Sequence, residues 1–122
     1  MHTVVETPIF TRRADSLLSP EARADLISIL AANPRAGAVI PGLGGIRKLR
    51  FAPEGQGKSG GFRVIYFLLD DETPVIALLL YGKNEQVNPT PEQRKVMVRH
   101  VEAVAAAARR KRLEHGGCDV QE

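Results

Sequence analysis

Two apolar runs stand almost back to back in this chain, and they restrict its fold more than any other feature. Phe62 to Leu69 is interrupted only by Arg63 and Tyr66, Val75 to Tyr81 is apolar throughout, and Asp70-Asp71-Glu72-Thr73-Pro74 between them is a turn. Such runs read as adjacent strands, and strands this apolar belong in the middle of a sheet with both faces covered. The rest of the 122-residue chain must supply that cover, and its 43% hydrophobic content is enough for one compact core. A single domain over residues 1–122 is expected.

Local signals place the other elements. Thr3 to Phe10 mixes Val, Thr and Ile with Pro8, which suits a first strand at a sheet edge. Thr11 to Leu18 reads as a short helical turn. Ser19-Pro20-Glu21 starts a helix, with Ser as N-cap, Pro at the first helical position and Glu complementing the dipole. Ala22, Leu26, Ile27, Ile29 and Leu30 form its apolar face, and Asn33-Pro34 ends it. Pro34 to Gly45 is a structured loop with an extended piece at Ala38 to Ile40. From Ile46 the pattern has period two, turning Leu49 and Phe51 one way and Lys48 and Arg50 the other. Thr90-Pro91-Glu92-Gln93 is a capping box that opens a helix to about Arg112, with Met97, Val101, Val104 and Ala108 on one stripe. A polar, flexible tail is expected from about residue 113. The order β-α-β-β-β-α with local hairpins predicts an α+β class.

Charge is patchy: the net value is only +3, but five cations and one carboxylate, Glu54, fall between Gly45 and Tyr66. Lys and Arg are seldom buried without partners, so Lys48, Arg50, Lys58 and Arg63 gathered on one surface would form a footprint for phosphate. The competing reading pairs Arg63 with Asp70 or Glu54. The segment Ala52 to Ser59 ends in Gly-Lys-Ser, yet a phosphate-binding P-loop needs Gly where Ala52 stands and a helix to follow, and Gly60-Gly61 and a β-prone run follow instead. Gly42-Leu43-Gly44-Gly45 lacks the strand-to-helix context of a dinucleotide site and reads as a tight turn. Tyr66 and Tyr81 fit core positions with satisfied hydroxyls. Arg109-Arg110-Lys111-Arg112 suits a helix C-terminus.

A single Cys118 and three scattered His give neither an internal disulfide nor a zinc site, so no metal or cofactor is expected. No apolar stretch reaches the roughly 18 residues of a membrane span, and the expectation is a soluble, cytoplasmic protein. His2, His100 and His115 do not form a paired-imidazole ribonuclease site.

Three ordered blocks, Val39 to Arg50, Gly57 to Tyr66 and Leu80 to Glu85, resemble the RelE/HigB superfamily of type II toxins, and more narrowly its HigB-2-like branch with the Gly-Lys-Ser-Gly-Gly loop. The resemblance covers nearly the whole chain up to the last helix. It implies a microbial-RNase-like fold, a mainly antiparallel four-stranded sheet packed with helices. It also implies a metal-independent mRNA endonuclease that acts in the ribosomal decoding site and inhibits translation. A cognate helix-turn-helix antitoxin of the HigA type would neutralise it, and operator DNA would be reached only through that antitoxin.

Carried over residue by residue, the family's strand cations fall on Lys48 and Arg50, its loop cation on Lys58, its strand arginine on Arg63, and a strand-end position on Lys83. Arg63 and Lys58 would stabilise charge on the reacting phosphate. Lys48 and Arg50, with Arg47 and Tyr81, would bind the substrate, and Tyr66, Tyr81 or Glu85 would move protons. The chain departs from the pattern at its C-terminus, where the best-known branch carries a catalytic tyrosine or histidine and this one has an Ala-rich helix and His115. The alternative function is a non-catalytic, ParE-like toxin acting by contact, for example on DNA gyrase.

Overall fold

The structure is a computed structural model that describes residues 2–53, 61–86 and 88–120, with residues 112 and 114–120 described by backbone alone. The chain divides into two compact units, residues 1–89 and 90–122. The first is an α+β unit with the elements β1 (Val4–Glu6), α1 (Pro8–Leu17), α2 (Pro20–Ala32), β2 (Ala38–Val39), β3 (Ile46–Phe51), β4 (Phe62–Phe67) and β5 (Val75–Gly82). The second is the single helix α3 (Pro91–Val120).

The sheet has five strands in the order β1-β5-β4-β3-β2, so the two apolar runs are indeed its centre. All neighbours are antiparallel except β1, which lies parallel to β5, so the sheet is mainly antiparallel as expected but has five strands and not four. The extra strand is β2, a two-residue edge piece that pairs Ala38 with Lys48 and Val39 with Arg47. The loop that joins β2 to β3 reverses the chain through Gly42 and Gly44, at φ 79° and 70°. L-residues with a Cβ avoid that region, which accounts for glycine there.

Pro8 does not bend an edge strand. It occupies the first turn of α1, where its missing N–H is no loss, and the Thr7 hydroxyl accepts from Phe10 N at 3.2 Å. The short turn expected from Thr11 is thus a ten-residue helix beginning earlier. In α2 the Ser19 hydroxyl accepts from Ala22 N at 3.1 Å, as its N-cap pattern predicts. Phe10 and Ala14 of α1 and Ala22, Leu26 and Leu30 of α2 recur at helical spacing and are buried. The α2 stripe is narrower than its sequence suggests, since Ile29 is 41% exposed.

These helix residues join Phe51, Phe62, Val64, Tyr66, Ala77 and Leu80 in one core cluster. The register puts all six strand residues on the same sheet face, which the helices α1 and α2 cover. In α3 the Thr90 hydroxyl accepts from Gln93 N and the Gln93 side chain accepts from Thr90 N, closing the capping box in both directions. The helix continues past Arg112 to Val120. Arg109 to Arg112 therefore lie inside it, and the tail expected from about residue 113 is helical in its backbone.

Candidate functional site

Alternation along β3 sends Lys48 and Arg50 to the sheet face opposite the helix-covered core. Arg50 pairs directly with Arg63 of β4, and Arg63 pairs directly with Tyr81 of β5, so the three form one row across three strands. Lys48 belongs to the next row on that face, opposite Ile65. Like charges directly opposite each other cost stability in an antiparallel pair. Two arginines held in that relation form a place where an anion would relieve repulsion.

No ion pair to a carboxylate involves Lys48, Arg50 or Arg63 among the described residues. Among the described residues Arg63 forms no ion pair with Asp70, and its guanidinium donates a long 3.5 Å hydrogen bond to Phe62 O. Lys48 Nζ donates to Asn88 Oδ1 at 3.4 Å, a neutral partner that leaves its charge uncompensated. The other acid proposed for Arg63, Glu54, and the loop cation Lys58 lie outside the described residues.

Arg47 and Tyr66 do not join the row. They face each other across β3 and β4 on the helix-covered side. The Arg47 guanidinium donates to Gly37 O at 2.8 Å and to Arg35 O at 3.3 Å, so it braces the loop before β2. The Tyr66 hydroxyl, fully buried, accepts from Gly37 N at 2.8 Å. A Cβ on Gly37 would lie 2.8 Å from that hydroxyl and 2.9 Å from Lys48 O, so only glycine fits. Burial pushes the Tyr66 hydroxyl above its ordinary pKa, against the opposing pull of the Gly37 N–H and the Arg47 charge. Proton transfer at the opposite face is out of its reach.

Tyr81 lies within the row but is only 1% exposed. Its ring therefore does not offer a stacking surface to a nucleobase. Burial raises its pKa and the Arg63 charge lowers it, with burial the larger effect, so the hydroxyl stays protonated at neutral pH. A β-bulge places it there. The register slips between Ile65 and Tyr66, whose partners are Leu79 and Ala77, and Leu78 is the extra residue. Without that slip, a strand in phase with Ile76 would turn Tyr81 toward the helices.

Lys83 follows β5 directly. Its N–H donates to Gly61 O at 3.1 Å, and a Cβ on Gly61 would sit 3.5 Å from Lys83 Cδ, so the lysine stem runs beside the residue that leads into β4. Glu85 is not placed as a free base. Its carboxylate pairs with Arg13 of α1 and accepts Gly82 N–H at 2.9 Å, and these contacts hold it below the ordinary carboxylate range. Arg13 carries no signal in the sequence, because it stands 72 residues from its partner.

Among the described residues no group of three His, Cys, Asp or Glu side chains is arranged to hold a metal ion, and no helix is long and apolar enough to cross a membrane. The site therefore offers an exposed Arg50, the half-buried Lys48 and Arg63, and a buried, protonated phenol beside the buried Ile65 and Leu79. That inventory can bind and polarise a phosphate.

No protein-family profile matches the chain. Among solved structures it is similar to the E. coli toxin RelE in the free state, in a variant with two arginines changed to alanine. The two share 15% identity with a TM-score of 0.56, over 82% of this chain and 97% of that one. A likeness at that identity concerns the fold, and the chain has a RelE-like α+β fold.

Proposed function

We propose that this chain is the toxin of a type II toxin-antitoxin system and a ribosome-dependent mRNA endonuclease of the HigB-2-like kind. The observation that carries the reading is the set of cations Lys48, Arg50 and Arg63 on one face of a RelE-like sheet, with no carboxylate partner among the described residues. In this reading residues 1–122 act as one toxin domain in the cytoplasm, on mRNA in the ribosomal decoding site. A cognate helix-turn-helix antitoxin of the HigA type neutralises it and carries the contact with operator DNA.

The reaction is attack of an RNA 2′-hydroxyl, whose proton passes to water, on the adjacent phosphorus, with departure of the 5′-oxygen, which takes a proton from water, leaving a 2′,3′-cyclic phosphate and a free 5′-hydroxyl. Negative charge grows on the two non-bridging oxygens as the phosphorane forms. In this scheme Arg63 meets those oxygens, a role supported by its place opposite Arg50 on the sheet, and Lys58 from the preceding loop adds a second charge. Lys48 and Arg50 hold the flanking phosphates and favour ionisation of the 2′-hydroxyl. The cations take the role that a metal ion fills in other nucleases, so the reaction in this scheme is metal-independent. Lys83 stands at the edge of the same region, beside Gly61. Tyr66 and Glu85 have no part in proton transfer in this scheme, since both are engaged elsewhere.

The test is to induce the chain alone in growing cells and map RNA ends. New 5′-hydroxyl ends inside translated regions, dependent on translation and lost in Arg63→Ala, are the expected result. A second reading draws on a different observation: among the described residues the row holds no exposed acid or base beside its cations. That favours a ParE-like toxin that acts by contact, on DNA gyrase for example. Growth arrest with intact messages, together with inhibition of gyrase supercoiling by the purified chain, would transfer the assignment to it.

A further inference from the structure

Strand β1 is three residues long and pairs with β5 only as far as Ala77, while β5 runs on to Gly82. Side chains take over where the strand stops. The Thr7 hydroxyl donates to Leu78 O at 3.1 Å, and Arg13 Nε donates to Leu80 O at 3.0 Å. Arg13 then extends its Nη2 to Glu85 Oε2, while Glu85 Oε1 accepts Gly82 N–H at 2.9 Å and Glu85 N–H donates to Gly82 O at 3.0 Å. The backbone on both sides of Tyr81 and the whole turn through Lys83 are thus tied to α1 by one guanidinium and one carboxylate.

We propose that Arg13 and Glu85 are a positioning pair for the proposed nuclease, fixing the β5 exit so that Lys83 stays registered against Gly61 and the strand that carries Arg63. The inference rests on the nuclease reading above. Two arguments favour positioning over mere stability. Both side chains are more than a third exposed, at 36% and 41%, and ion pairs in that setting add little to folding. The pair also has an electrostatic effect: Arg13 gives Glu85 a counterion on the helix side of the strand.

The test uses single-turnover cleavage of mRNA on purified ribosomes by the full chain. Arg13→Ala and Glu85→Ala should each slow cleavage by about 10- to 100-fold, the range that loss of alignment produces. Their combination should be no slower than the worse single change, because either one opens the same clamp. Glu85→Gln keeps an oxygen for Gly82 N–H but turns its amide nitrogen toward Arg13, so it should be slowed as Arg13→Ala is. In a Lys83→Ala background, Glu85→Ala should add nothing further. Melting temperature and ribosome affinity should match the wild type throughout, which a purely structural role would not allow. Glu85→Ala at the wild-type rate overturns the inference, as does a slow Glu85→Ala beside an Arg13→Ala at the wild-type rate, which would make the carboxylate a direct proton carrier. A wild-type chain that cuts nothing refutes the nuclease reading and this role with it, an outcome distinct from both.

Discussion

Arg23 and Arg63 are half-buried arginines of the same unit, yet their surroundings are opposite. Arg23 of α2 bridges Glu6 of β1 and Asp15 of α1, and its side chain and that of Glu6 are only 26% and 20% exposed. Thr11 donates to the same Glu6 carboxylate at 2.8 Å, so the cluster joins the first strand to both helices. Arg63 meets another arginine across the strand and no carboxylate among the described residues. Charge that is matched within the chain serves the fold, whereas charge left unmatched at a cost serves something outside it. The contrast is the reason the proposed site is placed on the Arg63 face.

That contrast can be broken by measurement. Arg63→Ala should lower cleavage by roughly 10²- to 10³-fold, the usual result of removing one preorganised donor to a charged transition state, while leaving stability unchanged or slightly higher. Cleavage rates and urea midpoints on the same samples decide it; a large loss of stability would make Arg63 a structural residue like Arg23. Next in size is Gly37→Ala, where the new methyl meets Tyr66 and the Lys48 carbonyl. Overpacking of this kind should cost about 1–3 kcal/mol of unfolding free energy.

Arg23→Ala leaves Glu6 with Thr11 alone and should cost on the order of 1–2 kcal/mol, with cleavage by the folded protein intact. Loss of cleavage in a fully folded Arg23→Ala protein would erase the division between the two arginines. The smallest effect concerns acid. The hydrogen bond from Arg23 is the main reason that Glu6 ionises more readily than an ordinary glutamate, so its folded pKa lies below the unfolded one. Stability from this cluster is therefore complete above the ordinary value of 4.5 and falls as pH drops through the lower folded value. Urea midpoints measured down to about pH 3 should decline, and Glu6→Gln should flatten part of that decline. Glu85 has the same sign but is more exposed, and solvent screens its share.

Elements with a local cause were legible before folding was considered. Ser19-Pro20 and Thr90 to Gln93 start helices because their own side chains accept from backbone N–H groups three residues away. Pro8 misled for an instructive reason: proline is compatible with an edge strand and with the first turn of a helix, and only the Thr7 cap and burial of Phe10 select the second. The site divides in the same way. Period-two alternation separates Lys48 and Arg50 from Leu49 and Phe51 over a few residues. The resemblance also put Arg47 among the candidates, although alternation along the strand turns that neighbour to the other face.

What the residues determined unaided was the α+β class, the central place of Phe62 to Leu69 and Val75 to Tyr81, and the shared side of Lys48 and Arg50, since each follows from patterns shorter than one turn or strand. Tertiary structure alone decided the rest. The slip at Ile65 and Tyr66 set Tyr81 beside Arg63, the Gly37 approach took Tyr66 into the core, and packing of α1 on β5 joined Arg13 to Glu85. Those outcomes depend on register and on segments up to 72 residues apart, where the free energy of the whole sheet, not the preference of any short stretch, selects the partner.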